Sequence, residues 1–287
     1  MSRPDQLTEL GFYTLAGHTE QPRDLITEVA RAEELGLGAA FISERFNVKD
    51  AATLSGAVGA VSTTLGVATA ATNHTTRHLM VTATMATTMH RLTGGRFALG
   101  LGRGIDLLNG LYGLPPVTMA QLGDVAGLLR EIWHGGLVMA HDGPAGQYPF
   151  LHQSSSFDEN IPILMTAMGE RSLEFAGRVM DAVVLHTYFT DETLARSVAA
   201  VRRGAERAGR DPAAVRVWSV LATVGDHLPE EVQLRKTVGR LATYLQGYGD
   251  LMVRVNDWDP EVLARFRADE VVASFPGALD ATGTPEV

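Results

Sequence analysis

The chain has 287 residues, a formal net charge of −9, 45% hydrophobic residues and no cysteine. That length and apolar content suffice for one large core or two small ones, and the missing cysteine excludes disulfides and thiolate metal sites. The acidic balance argues against a general nucleic-acid binder. No apolar run reaches transmembrane length and "MSRPDQLTEL" carries no signal-like apolar core, so no membrane partner and a cytoplasmic address are expected.

Strand-like and helix-like patterns alternate from the start. "GFYTLAG" (11–17) is a short apolar run. "PRDLITEVARAEELG" (22–36) has helical periodicity, with Leu25, Val29, Ala32 and Leu35 on one face, Pro22 near its start and Gly36 just past its end. "AAFIS" (39–43), "LGVATAAT" (65–72) and "RFALGLG" (96–102) are the next strands, and helices are predicted over 50–62, 78–92 and 117–135. Residues 136–160, rich in Gly, Pro and Ser, break the rhythm and read as an inserted hairpin or loop after the fourth helix. Strands are predicted again at 161–168, 181–188 and 215–224, with helices at 169–180, 191–209 and 229–249.

Alternation of this kind implies parallel strands joined by right-handed crossovers. Seven strands at this spacing suit a single α/β domain over 1–287, a (β/α)8 TIM barrel; an open doubly wound sheet is the alternative. The glycines of "LTGGRFALGLGRGID" (92–106) do not favour the second. Gly100, Gly102 and Gly104 read G-x-G-x-G, Ile105 stands where a dinucleotide fingerprint has glycine, and no lysine is near for a P-loop. These glycines are expected to end the fourth strand and let the backbone approach a flat ligand. At the other end, "ATGTPEV" reads as the start of a helix, with Thr284 as cap and Pro285 in its first turn. Either the chain stops short of an eighth strand or the barrel is open there; truncation is the preferred reading.

A barrel carries its chemistry where the strands run out at their C-terminal ends. Those ends are His18; Ser43, Glu44 and Arg45; Thr72, Asn73 and His74; Gly102, Arg103 and Gly104; Ala167, Met168 and Gly169; His186, Thr187 and Tyr188; and Ala222 with Thr223. On an acidic protein, a rim holding Arg45, Arg103, His18, His74 and His186 points to an anionic ligand. "MGERS" (168–172) adds a second anion seat, because Gly169 opens a helix and leaves the amides of Glu170, Arg171 and Ser172 free. His74 and His78 lack the glutamate of a metalloprotease helix, and no metal is expected. Met85, Met89 and Leu92 read as core, and "VRRGAERAGR" (201–210) as a solvated helix face.

"ATNHTTRH" followed by a helix and "LTGGRFALGLGRG", together with "ELGLGAAFISERF" and "GERSLEFAGRVMDAVVLH", resembles the bacterial luciferase-like monooxygenase superfamily, in its branch of coenzyme F420-dependent oxidoreductases. "TGTPEV" is similar to the helix before that family's last strand. The resemblance implies a flavin or deazaflavin across the C-terminal face and a non-proline cis bulge near Ala71, Thr72 and Asn73. It places Glu44 and Arg45 beside the ring, where the best-known deazaflavin dehydrogenases have an acidic residue and a histidine. Arginine cannot serve as a base near neutral pH, which leaves His186 first and His74 second as acid/base candidates. Ser43, Ala71–Asn73, Gly102–Gly104 and Met168–Ser172 would then bind the cofactor.

Only Lys49 and Lys236 are lysine, a bias typical of high-G+C genomes, many of which encode F420 synthesis. The expected activity is therefore F420-dependent hydride transfer to or from a small organic substrate. FMN-dependent monooxygenation and a non-catalytic flavin- or deazaflavin-binding barrel are the alternatives. The resemblance also implies a homodimer.

Overall fold

The computed structural model describes residues 7–16, 21–46, 48–274 and 279. Seven parallel strands form one curled sheet: β1 (Gly11–Tyr13), β2 (Ala39–Ile42), β3 (Gly66–Thr69), β4 (Phe97–Leu101), then β7 (Ile163–Thr166), β8 (Ala182–Val184) and β9 (Arg216–Trp218), in that spatial order. Between β4 and β7 the predicted insertion is a two-stranded antiparallel hairpin, β5 (Val138–Gly143) and β6 (Gly146–Leu151). No eighth parallel strand occurs among the described residues. The seventh is shorter than its apolar run predicts, because β9 stops at Trp218 and Leu221, Ala222 and Thr223 are exposed. His18 and the "ATGTPEV" terminus lie outside the described residues.

Side chains alternate across each strand and build two layers. Ala40, Ile42, Val67, Leu99, Leu101, Ile163 and Val183 join the helices in the outer core. Ala39, Phe41, Ala68, Ala70, Leu164, Ala182 and Val184 fill the concave side. Most of these inner residues are small, and Phe41 carries the packing: its ring lies 5.7 Å from Tyr13 and 5.0 Å from Trp218, which spans the two ends of the curled sheet. The open seam is also bridged outside, where Arg216 pairs with Glu9 and lies 4.3 Å over the Trp218 ring.

The helices start where the sequence places their caps. α1 (Leu25–Glu34) follows a 3-10 turn at Pro22–Asp24 and ends before Gly36, whose φ of 73° needs glycine. In α2 (Ala51–Val61) the Asp50 carboxylate accepts from the Thr53 N–H at 2.7 Å. α3 (Leu79–Leu92) is capped by His78, whose Nδ1 accepts from the Met80 N–H. α5 (Met119–Trp133) opens on a capping box between Thr118 and Gln121. α6 (Glu170–Val179) and α7 (Asp191–Arg207) pack closely through glycine: a Cβ on Gly177 would stand 2.0 Å from the Val201 carbonyl, and one on Gly204 the same distance from that of Glu174.

Two helical features go beyond the predicted elements, although a helix over 229–249 was expected. A short α4 (Asp106–Leu111) follows β4. After β9 the chain enters a continuous helical rod: α8 (Glu230–Leu234), a π-helical segment (Arg235–Gly239) and α9 (Arg240–Asn256), followed by α10 (Pro260–Ala268) and α11 (Glu270–Ser274). The rod lies across the C-terminal end of the sheet. Leu251 faces Gly169 at the head of α6, 3.7 Å from where a Cβ would stand there. Ile105 lies 3.6 Å from the corresponding point on Gly247.

Candidate active site

The peptide joining Ala70 to Ala71 is cis, at the end of β3, where the resemblance puts a bulge. The chain then turns back onto β4: the Thr72 N–H donates to the Gly100 carbonyl and the Gly102 N–H to that of Thr72, each at 2.9 Å. The glycines of β4 belong to this packing. A Cβ on Gly100 would lie 1.7 Å from the Thr69 carbonyl, and one on Gly102 3.1 Å from both Ala71 Cβ and Thr166 Oγ1. Gly104 is required by its φ of 71°. The expected approach of a ligand to these glycines is thus taken up, in part, by neighbouring strands.

Glu44 anchors the bulge from β2. Its Oε2 accepts from the Thr72 hydroxyl, from Asn73 Nδ2 at 3.1 Å and from an Arg77 nitrogen at 3.3 Å, and its Oε1 accepts from the other Arg77 nitrogen at 2.7 Å. Arg77 also pairs with Asp50, the cap of α2. Asn73 Oδ1 accepts from the hydroxyl and the N–H of Thr76 at 2.8 and 3.0 Å. With both carboxylate oxygens committed, Glu44 serves as the post that holds the bulge. Beside it opens a cleft of about 520 Å³ lined by Glu44, Phe46, Val48, Lys49, Asp50, Thr76 and Arg77.

Arg45 and Lys49 close a tight turn on the cleft wall. The Arg45 N–H donates to the Lys49 carbonyl at 3.0 Å, and the Lys49 N–H to that of Arg45 at 2.9 Å. The turn sends the Lys49 side chain inward, where Nζ donates to the Leu15 carbonyl at 2.6 Å. Glu28 of α1 takes the N–H of the same Leu15 at 2.8 Å. Burial pushes the Lys49 ammonium down to about 8; Arg45 and Arg240 add to the effect and Glu28 opposes it.

His186 ends β8 under the rod. Nδ1 lies 2.8 Å from the Thr187 carbonyl and donates to it, which leaves Nε2 as the acceptor. Its ring meets Tyr244 edge-on at 4.5 Å and Tyr248 at 5.7 Å. Burial lowers its pKa, and the nearby Arg240 charge acts the same way. Arg240 itself lies 5.2 Å over the Tyr244 ring. Burial likewise raises the Tyr13 and Tyr248 phenols, Tyr248 to about 12. His74 is half-buried with its Nδ1 unpartnered, and burial lowers its pKa too.

The structure therefore gathers Glu44, Ala71, Thr72 and Asn73 in one cluster and sets His186 against Tyr244, Tyr248 and Arg240 at the end of β8. Arg103 is engaged elsewhere: its Nε donates to the Val117 carbonyl at 2.6 Å, and its own carbonyl accepts from Asn109. The "MGERS" seat is narrower than expected, since the Ser172 N–H already donates to the Gly169 carbonyl at 3.0 Å and Leu251 lies over Gly169. Met168 is buried, and Glu170 and Arg171 are exposed. Sequence reasoning missed Lys49, Arg240, Tyr244 and Tyr248. The signals were there: one of two lysines stands six residues past a predicted strand, and two of six tyrosines stand four apart in a helical segment.

The profile of the luciferase-like monooxygenase family matches residues 8–281. A 5,10-methylenetetrahydromethanopterin reductase of Methanolobus tindarius is 27% identical over 207 residues, 68% of this chain and 61% of that protein. The chain thus spans less than two thirds of this curated relative. Among solved structures, an F420-dependent secondary alcohol dehydrogenase in complex with an F420–acetone adduct superposes with a TM-score of 0.72, at 17% identity over 88% of this chain and 83% of that one. The oxygenating constituent of 3,6-diketocamphane monooxygenase from Pseudomonas putida, in complex with FMN, gives 0.65 at 18% identity over 89% and 81%.

Proposed function

The chain belongs to the luciferase-like monooxygenase family, and from that premise we propose that it is an oxidoreductase using coenzyme F420 to move a hydride to or from a small organic substrate. The observation that carries the reading is the gathering of Lys49, Arg45 and Arg240 with His186 at the C-terminal end of the parallel strands, on a chain of net charge −9. F420 is an anionic cofactor with a flat ring, and such a cluster favours it. The similarity to a methanopterin reductase and the fold shared with an F420-dependent dehydrogenase point the same way.

The residues fit that cofactor in two further respects. The bulge at Ala71 and Thr72 offers a narrow shelf next to a polar cleft, and the unpartnered His74 Nδ1 seeks a polar group. The exposed head of α6 at Glu170 and Arg171 would meet a phosphate, provided the rod above Gly169 shifts to admit it. When bound, the deazaflavin supplies a carbon centre that gives or takes hydride. The protein positions that centre and the substrate within reach and excludes water.

The fold shared with an FMN-bound monooxygenase sustains a second reading, in which FMN takes the same shelf and activates oxygen. Fluorescence titration of the purified chain with F420, and in parallel with FMN, separates the two. Tight binding of F420 alone supports hydride transfer; binding of FMN alone replaces it with oxygenation; binding of neither overturns both. A homodimer remains part of the proposal, and sedimentation of the same sample checks it.

A further inference from the structure

Lys49 has the features of a group waiting for a ligand. It is 8% exposed, and among the described residues its ammonium makes one hydrogen bond, to the Leu15 carbonyl, and no ion pair. An ammonium has three donors, so two are left over in a place where water is scarce. Lys49 is nevertheless one of the residues that line the cleft beside Glu44, whose carboxylate holds the bulge at Thr72 and Asn73.

We propose that Lys49 is the residue that exchanges the proton with the substrate oxygen, and that the substrate is a carbonyl compound or the corresponding alcohol. The proposal rests on the oxidoreductase reading above and supplies what that reading lacks. Arg45, the neighbour in the expected position, cannot lose a proton near neutral pH. Glu44 has both oxygens committed to Thr72, Asn73 and Arg77. His186 lies under Tyr244 with its Nδ1 on the Thr187 carbonyl.

In the reducing direction, a bound reduced deazaflavin would supply a hydride to the carbonyl carbon, and the C=O π pair would move onto oxygen. An N–H bond of the Lys49 ammonium breaks as the new O–H bond forms. Lys49, left as the amine, regains a proton from water, and one proton is returned to water from the oxidised cofactor. The charges facing Lys49 are Arg45 on its own turn, Glu28 on α1 and Arg240 on α9; with burial they leave an ammonium protonated at neutral pH yet easily deprotonated.

Because the chain has only two lysines, the test reads one residue at a time. The full chain is grown with ε-13C-lysine and titrated by NMR without cofactor, with Lys49→Arg assigning the two signals. Lys49 is expected to titrate near pH 8. Reductive methylation with formaldehyde then reports access: Lys49 is expected to react at pH 8 although buried. In the F420-loaded enzyme, Lys49→Arg keeps the charge and a donor for Leu15, so a structural tie predicts a rate within about threefold of the parent. Loss of the proton donor predicts a fall of about 100-fold or more in kcat/KM for carbonyl reduction, with F420 affinity retained. An ordinary titration, an unreactive amine or an active arginine variant each overturns the proposal. Failure of the parent chain to bind F420 overturns the functional reading instead, and the cofactor-free titration distinguishes the two.

Discussion

Arg77 grips Glu44 by both carboxylate oxygens, at 2.7 and 3.3 Å, and the two side chains are 17% and 7% exposed. The pair joins the start of α3 to the end of β2 and fixes the bulge between them. Removing one partner of a buried pair leaves the other charge uncompensated, which costs about 3–5 kcal/mol. Arg77→Ala is expected to lose about 3 kcal/mol in urea unfolding and to weaken cofactor binding. Arg77→Lys keeps the charge and loses the fork, for a cost of about 1.5 kcal/mol. Equal stabilities for the alanine variant and the parent would show that the post carries no load.

Two glycines predict opposite outcomes for the same substitution. Gly100→Ala drives a methyl group to 1.7 Å from the Thr69 carbonyl, so strands β3 and β4 must part; the expected loss is about 3 kcal/mol or more. Gly56 in α2 has nothing within 4 Å of an added Cβ. There the same change gains helix propensity, about 0.5–1 kcal/mol. Thermal unfolding of both variants beside the parent checks the pair.

The Lys49 shift makes stability depend on pH with a definite sign. Its folded pKa, about 8, lies below its ordinary value of 10.5, so between those values the unfolded chain binds more protons. Stability therefore rises with pH in that window. Above pH 10 the raised phenols of Tyr13 and Tyr248 act in the opposite direction, because the unfolded chain then releases protons first. Urea unfolding at pH 8 and pH 10 is expected to show a gain that disappears in Lys49→Met. A gain that survives the substitution would assign it elsewhere.

His186 is expected to titrate below the ordinary imidazole range, since burial and the Arg240 charge disfavour its cation against the pull of the Thr187 carbonyl. Tyr244→Ala opens the ring to water and should move its titration up toward 6.5. Histidine 15N spectra over pH 5–8 read both states, and an unchanged titration in the variant would remove Tyr244 as the cause.

The fold was largely legible in the sequence because parallel strands buried on both faces are continuous apolar runs, and because Asp50, Thr118, Gly36 and Gly94 mark helix ends in place. The bulge near Ala71, Thr72 and Asn73 was expected from the family resemblance alone, and the cis peptide joins Ala70 to Ala71. The rod over the mouth was not legible: the periodicity of 229–249 gives a helix but says nothing of where it docks. The role of Lys49 depends on burial, a property of the neighbours contributed by α1, β1 and α9. Arg103, read as a rim ligand, instead donates to the Val117 carbonyl on the far side of the unforeseen α4.

The rod is tied down at several points. The Tyr188 hydroxyl donates to the Thr237 carbonyl at 3.1 Å in the π-helical segment, and Asn256 at the far end of α9 donates to the Tyr188 carbonyl at 3.0 Å. Between them Tyr244 rests on His186, Gly247 on Ile105 and Leu251 on Gly169. The loops that follow β4, β7 and β8 are thus strung along one stiff beam. Anything that lifts the beam at the head of α6 unloads His186 and the β4 loop in the same stroke, so these three loops behave as one cooperative unit.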